Sequence, residues 1–268
     1  MQQQAVKTRR KKFMQNRNIK TLIAIAIMTP TLISSAIEGE YESPVYQAQT
    51  TTKWAQDAGL AIIKIGGQNV IRGNFIFADP PAGRIQEVPS KQFTKTRDKE
   101  GRMIIKMEKT LAGKKDQACY GKTLREYTFA ENEITAKITI EITKDINFQW
   151  LYQGFKEMLS LNTATVENAT VEGIRIKDNE KVIGQVAVPF DKQNWKMGKD
   201  SYKSSKFITD TFILEISGAP QTTISLAHYG GKNIEVRIMP ILKLYQRNLK
   251  AGDTISWNYI IKIENIAN

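Results

Sequence analysis

The chain has 268 residues, with 39 Lys and Arg against 27 Asp and Glu, one histidine and one cysteine. One of each removes the usual zinc sites, which need several His or Cys ligands, and rules out any intrachain disulfide. The net charge of +12 is uneven along the chain: residues 1–36 carry seven basic residues and no acid, and the remainder holds 32 basic against 27 acidic residues, a net of +5. That mild, mixed charge lacks the basic stripe of a nucleic-acid-binding surface. A weak Coulomb attraction for acidic polymers, such as uronate-containing polysaccharides, remains open to it.

The amino terminus sets the expected compartment. Lys7, Arg9, Arg10, Lys11, Lys12, Arg17 and Lys20 precede an apolar run from Thr21 to Ile33, and Ser34, Ser35 and Ala36 follow. A basic head, a short apolar stretch and small residues form the order of a bacterial secretory signal. The run is shorter than the roughly 20 apolar residues of a membrane-spanning helix. The expectation is a signal peptide over 1–36, cleaved after Ala36, and a periplasmic or extracellular protein that meets the membrane only through that signal. Residues 37–58 have no long periodic run and are expected to form an extended arm, anchored by Trp54. Residues 59–268 are expected to form a single domain, because no repeat or linker interrupts them.

From residue 60 onward the sequence reads as strands. Ile134 to Ile142 alternates apolar and polar residues without a break, as do Ile255, Trp257, Tyr259, Ile261 and Ile263 against Ser256, Asn258, Lys262 and Glu264. Such alternation puts one face of a strand on a core and the other in water. Further strands are expected at 60–65, 69–77, 102–109, 123–129, 171–176, 181–188, 206–217, 221–229 and 233–239, rich in the residues that suit a pleated surface. Gly66-Gly67, Asp79-Pro80-Pro81-Ala82-Gly83, Gly230-Gly231 and Ala251-Gly252-Asp253 supply turns. Trp150 to Leu159 has near-helical apolar spacing, weakened by Gly154, and reads as a short helix or an aromatic loop. The predicted fold class is all-β: a large antiparallel sandwich.

The sequence holds no phosphate loop, dinucleotide fingerprint, nucleophile elbow or EF-hand. No cofactor is expected, although scattered carboxylates and carbonyls leave calcium open. Cys119 is expected to be a buried small residue. Two chemistries survive: a carboxylate pair, and proton abstraction by His228 with help from an acid, Tyr or Arg. His228 is in phase with Ile224 and Leu226, which suits a core or groove-edge histidine as well as a catalyst. Trp195 lies among Asp191, Gln193, Asn194 and Lys196, where an exposed ring would cover sugar C–H bonds while polar neighbours meet hydroxyls. The alternative for it is an aromatic plug at the sandwich edge. Trp150 and Tyr152 form a second such cluster, and Arg237 joins them as a sugar-binding candidate. Trp257 is expected in the core.

The run Leu249-Lys250-Ala251-Gly252-Asp253-Thr254-Ile255-Ser256-Trp257-Asn258-Tyr259-Ile260-Ile261-Lys262-Ile263 resembles the closing strand of bacterial exported supersandwich proteins. These belong to the galactose-mutarotase-like class and are similar to the β-domains of some polysaccharide lyases. The resemblance covers about fifteen residues closely and the rest as strand rhythm. It implies a supersandwich and a carbohydrate partner. Mutarotases use a histidine acid and a glutamate base; His228 is the one position to which the first could be carried, and no glutamate matches a motif. The expected function is therefore an exported carbohydrate-interacting protein, binding or processing a poly- or oligosaccharide over one sheet, with lyase-, epimerase- or glycosidase-like action if it is an enzyme. The alternative is a structural or protein-binding component of the cell envelope.

Overall fold

The structure, a computed structural model, describes residues 39–51, 59–189, 195–228, 232–241 and 247–266. The signal segment and Trp54 lie outside the described residues. All described residues belong to one compact unit spanning 35–268, and no helix among them is long and apolar enough to cross a membrane.

Four antiparallel strands open the fold: β1 (Gly39–Glu42), β2 (Tyr46–Thr51), β3 (Gly59–Ile65) and β4 (Gln68–Ala78). Residues 39–51, expected as an arm, are thus part of the sheet. Their short stretches are split by turn residues, so no long periodic run betrays them. Gly66 and Gly67 both have positive φ, +56° and +78°, and make the tight β3–β4 turn that only such residues adopt without strain. A second meander follows: β5 (Ile85–Arg97), β6 (Met103–Gly113), β7 (Cys119–Phe129) and β8 (Glu133–Ile142). The short β9 (Ile146–Asn147) leads to a 3-10 turn, Leu151–Gln153, and then to β10 (Lys156–Asn162). The short helix or aromatic loop expected over 150–159 is a single 3-10 turn followed by a strand, since β10 gains ladder bonds on both sides from β4 and from a later strand.

The remaining strands are β11 (Thr170–Arg175), β12 (Lys181–Gln185), β13 (Tyr202–Ile208), β14 (Phe212–Gly218), β15 (Thr222–His228), β16 (Asn233–Pro240), β17 (Asn248–Leu249) and β18 (Thr254–Asn265). The single run expected at 206–217 is two strands, because Thr209 Oγ1 accepts from the N–H groups of Thr211 and Phe212 and turns the chain.

The main sheet runs β1-β2-β3-β4-β10-β16-β15-β13-β14-β18-β8-β7-β6-β5, and β5 pairs back onto β4 through Phe77–Gln86 and Ala78–Ile85. The path from β4 round to β5 is thereby closed into a flattened ring. β11 and β12 branch from β13. The core fills the inside of this ring. Leu159 and Leu161 of β10, Val236 and Ile238 of β16, and Ile224 and Leu226 of β15 line one wall; Ile138, Ile140, Trp257, Tyr259, Ile261 and Ile263 line the other. The alternation expected for the last strand and for Trp257 is what the structure contains. Cys119 differs from expectation: it is exposed at the start of β7, its Sγ 3.7 Å from the Gly121 carbonyl oxygen. Strict alternation would put it in the inward phase of Gly121, Thr123, Arg125, Tyr127 and Phe129, but a register shift between Leu111 and Ala112 leaves Tyr120 unpaired with β6 and breaks that phase.

Candidate functional site: a groove over the β10–β16–β15 face

Strand register decides which candidates can meet. In β15 and β16, Ser225 stands opposite Arg237, and His228 stands opposite Ile234. Side chains alternate across a strand, so Arg237 shares the outer face with Ser225, Thr223, Glu235 and Met239, and His228 shares the inner face with Ile224, Leu226 and Val236. Arg237 also stands opposite Met158 of β10. The outer face of three neighbouring strands therefore carries Met158, Ser160, Glu235, Arg237, Met239, Thr223 and Ser225, all half-buried.

At one end of this face lies a hollow of about 340 Å³, walled by Tyr152, Phe155, Ile176, Ser201, Thr223, Met239, Pro240 and Ile241. Tyr152 comes from the 3-10 turn, which is pinned because Gln153 Oε1 accepts from the backbone N–H groups of Gln149 and Trp150 at 2.9 and 3.0 Å. That bond pattern holds the two rings outward: Trp150 is 49% exposed and Tyr152 67%. Tyr152 forms part of the wall, and Trp150 is exposed outside it.

Beside the hollow is a row of charges. Lys156 opposes Phe77 in register and occupies the same face as Met158. Its Nζ donates to the Tyr152 carbonyl at 3.0 Å, lies 3.4 Å from Asp79 Oδ2 and sits 4.7 Å above the Phe77 ring. Burial pushes its pKa down; the like charges of Arg237 and Arg84 act the same way, and Asp79 opposes them. Arg84 Nε donates to Asp79 Oδ1 at 2.7 Å and its guanidinium lies 4.6 Å from the same Phe77 ring. Arg237 Nε donates to Glu235 Oε2 at 3.0 Å. Both carboxylates of this row are thus already bonded to cations.

The other two candidates lie elsewhere. Trp195 is only 9% exposed and meets His228 edge to face, with ring centroids 5.4 Å apart. The exposed platform expected at Trp195 is absent: the indole packs as a plug at the sandwich edge beside Gly198 and the 3-10 turn Lys196–Lys199. His228 is buried, and burial pushes its pKa down despite a hydrogen bond with the Ala187 backbone. The structure thus brings Tyr152 and Arg237 to one face and Trp195 and His228 to the inside of the other.

A second charged cluster was not foreseen. It lies wholly inside the ring, between β4, β5 and β10 on one side and β7 and β18 on the other. Arg125 donates through Nε to Glu87 Oε1 at 2.8 Å, makes a second bond to Glu87 Oε2, and donates through Nη1 to Asn74 Oδ1 at 2.6 Å and to Glu157 Oε1 at 3.1 Å. Glu157 Oε1 also accepts from Asn74 Nδ2 at 2.7 Å, Tyr259 Oη at 3.0 Å and Tyr127 Oη at 3.2 Å. Glu87 accepts in addition from Thr123 Oγ1 at 2.6 Å and from the Ile76 N–H at 3.1 Å. Burial pushes the Glu157 carboxyl up, against the pull of Arg125. Glu87 suffers the same burial, yet Arg125 and Lys109 beside it hold its carboxyl below the usual range. The signal for this cluster was phase: Arg125 falls between Thr123 and Tyr127, and Glu157 between Phe155 and Leu159, on inward positions. Among the described residues no group of three His, Cys, Asp or Glu converges as a metal site would.

The closed ring of antiparallel strands has the fold of solved galactose mutarotase-like structures. Galactose 1-epimerase from Lactobacillus acidophilus NCFM matches with a TM-score of 0.52 at 11% identity, over 84% of this chain and 93% of that one. The Slr1438 protein from Synechocystis sp. PCC 6803 matches with a TM-score of 0.52 at 8% identity, over 84% and 95%. The GH36 α-galactosidase AgaA from Geobacillus stearothermophilus gives 0.53 at 6% identity, over 85% of this chain and 40% of that one. At these identities the likeness establishes the fold. No protein-family model matches the chain, and no curated protein matches its sequence.

Proposed function

We propose that this chain is an exported carbohydrate-binding protein that holds a poly- or oligosaccharide in the groove over β10, β16 and β15. The observation that carries the reading is the Tyr152 ring, 67% exposed, at the rim of a hollow of about 340 Å³ walled in part by Ser201 and Thr223, with Arg237 two residues along β16 from the wall's Met239. An aromatic face covers sugar C–H bonds while hydroxyl and guanidinium groups meet sugar oxygens. The fold's company supports the same substrate class, since two of the structural neighbours are named for galactose or galactoside chemistry.

Binding without turnover is the form of the proposal. The chain has one histidine, and it faces the core on the side of the sheet away from the groove. The groove therefore lacks the imidazole acid that the resemblance to mutarotases would require. Asp79 and Glu235 are engaged by Arg84, Lys156 and Arg237.

A glycan array on the purified protein, with Tyr152→Ala alongside, tests the reading. Selective binding that Tyr152→Ala weakens is expected. An unchanged Tyr152→Ala profile would move the site away from the groove. No binding to any glycan would favour a protein-binding envelope component. Polarimetry on aldoses tests turnover: accelerated mutarotation would overturn the non-catalytic form. Export is tested by fusing residues 1–36 to alkaline phosphatase, which becomes active only outside the cytoplasm.

A further inference from the structure

We propose that the saccharide taken by the groove is acidic, and that its carboxylate or sulfate group seats against Lys156 and Arg237 while its apolar face lies on the hollow beside Tyr152. This rests on the groove being the carbohydrate site.

The register places the two cations together. Met158 is opposite both Phe75 and Arg237, and Lys156 precedes it by two on the same face. Lys156 and Arg237 thus occupy adjoining positions on neighbouring strands. Met239 continues the outer face of β16 from Arg237 into the wall of the hollow. An anion-binding row and an apolar wall are therefore continuous, which suits a ligand with a charged edge and an apolar face.

The surroundings of Lys156 also favour an anion. Lys156 and Arg84 share Asp79, and Arg237 is bonded to Glu235. Asp79 is shared: Arg84 holds one oxygen at 2.7 Å, and Lys156 reaches the other only at 3.4 Å. The Lys156 side chain is 9% exposed. A mostly buried ammonium with a shared, distant counter-ion is costly, and an arriving anion offsets that cost. Both Lys156 and Arg84 are drawn to one Phe77 ring, at 4.7 and 4.6 Å, which holds the cations in place before any ligand arrives.

The test is calorimetric titration of the full chain with oligogalacturonate, oligomannuronate and sulfated galactan, each beside its neutral counterpart, carboxyl-reduced or desulfated. The acidic forms are expected to bind about tenfold or more tightly than their neutral counterparts, the scale of a charge-assisted hydrogen bond. Preference for the uronates or for the sulfated galactan identifies the anionic group. Arg237→Gln and Lys156→Met are each expected to erase the preference while keeping residual neutral binding, and Arg102→Gln, remote on the Asp98 turn, to leave it intact. Equal affinity for acidic and neutral forms would overturn this inference and leave the carbohydrate reading standing. Preserved preference in both Arg237→Gln and Lys156→Met would place the anion elsewhere and overturn it equally. Failure of every saccharide to bind would overturn the carbohydrate reading, and this inference with it.

Discussion

Lys156 and Glu157 are neighbours in the chain and point to opposite faces of β10. Burial drives both toward their neutral forms, the lysine down and the glutamate up. Their surroundings differ. Four donors from three strands converge on one oxygen of Glu157, whereas Lys156 has a backbone carbonyl, a shared carboxylate and the face of the Phe77 ring. The inner residue is locked into a network that spans the ring, and the outer one has fewer and longer contacts. One strand thus separates a charge tied into the core network from a charge on the outer face.

The largest test of that contrast is Arg125→Met. It leaves Glu87 and Glu157 buried without their shared cation, and a loss of roughly 3–5 kcal/mol is expected in chemical denaturation. Arg237→Gln on the outer face should cost under about 1 kcal/mol. Equal losses would erase the distinction between the two faces. Tyr259→Phe removes one of the donors to Glu157 and is expected to cost about 1 kcal/mol by the same measurement.

The two buried carboxyls should give opposite pH slopes. Glu157 has a raised folded pKa, so its contribution is full below the unfolded value near 4.5 and is lost as pH climbs through the folded value. Glu87 has a lowered folded pKa, so its contribution is present above 4.5 and is lost as pH falls below it. Glu157→Gln is therefore expected to flatten the decline above pH 4.5 and leave the acid limb in place. Denaturant midpoints across pH 3–9 would show it, and an unchanged upper limb would refute it. His228 adds a smaller term. Its folded pKa is depressed below 6.5, so stability should fall as pH drops below that value, and His228→Gln should remove that part of the slope. The smallest effect is expected at Tyr152→Ala, which should shift stability by under about 0.5 kcal/mol while weakening glycan binding.

Much of the fold was legible where alternation was clean. Ile255, Trp257, Tyr259, Ile261 and Ile263 are all buried on one face of β18, as their period of two requires. β5 was missed because Pro89 and a run of Gln, Lys and Thr interrupt its apolar phase, and its place is set by pairing with β6. β10 was misread because Lys156 and Glu157, both buried, break the strand pattern that Leu159 and Leu161 continue. The site was less legible. Tyr152 and Arg237 were picked out as residue types, but that Arg237 faces outward while His228 faces inward depends on the pairing of β15 with β16, and Tyr152 and Trp195 are placed by turns outside those strands, which no local pattern encodes. Asp79, Arg84 and Lys156 come together only because β4 lies beside β10 across a long stretch of sequence.

The position of β18 has a consequence for how the molecule is made. Thr254–Asn265 is the last described strand in sequence, yet it lies in the middle of the sheet, with β8 on one side and β14 on the other. The β5–β8 meander and the β13–β16 region meet there only once it is in place, and Tyr259 then completes the donors around Glu157. Pairings so distant in sequence make for slow closure. A growing chain that has not yet released β18 from the ribosome would carry two unjoined sheet margins, and would stay open to chaperones until that strand emerges.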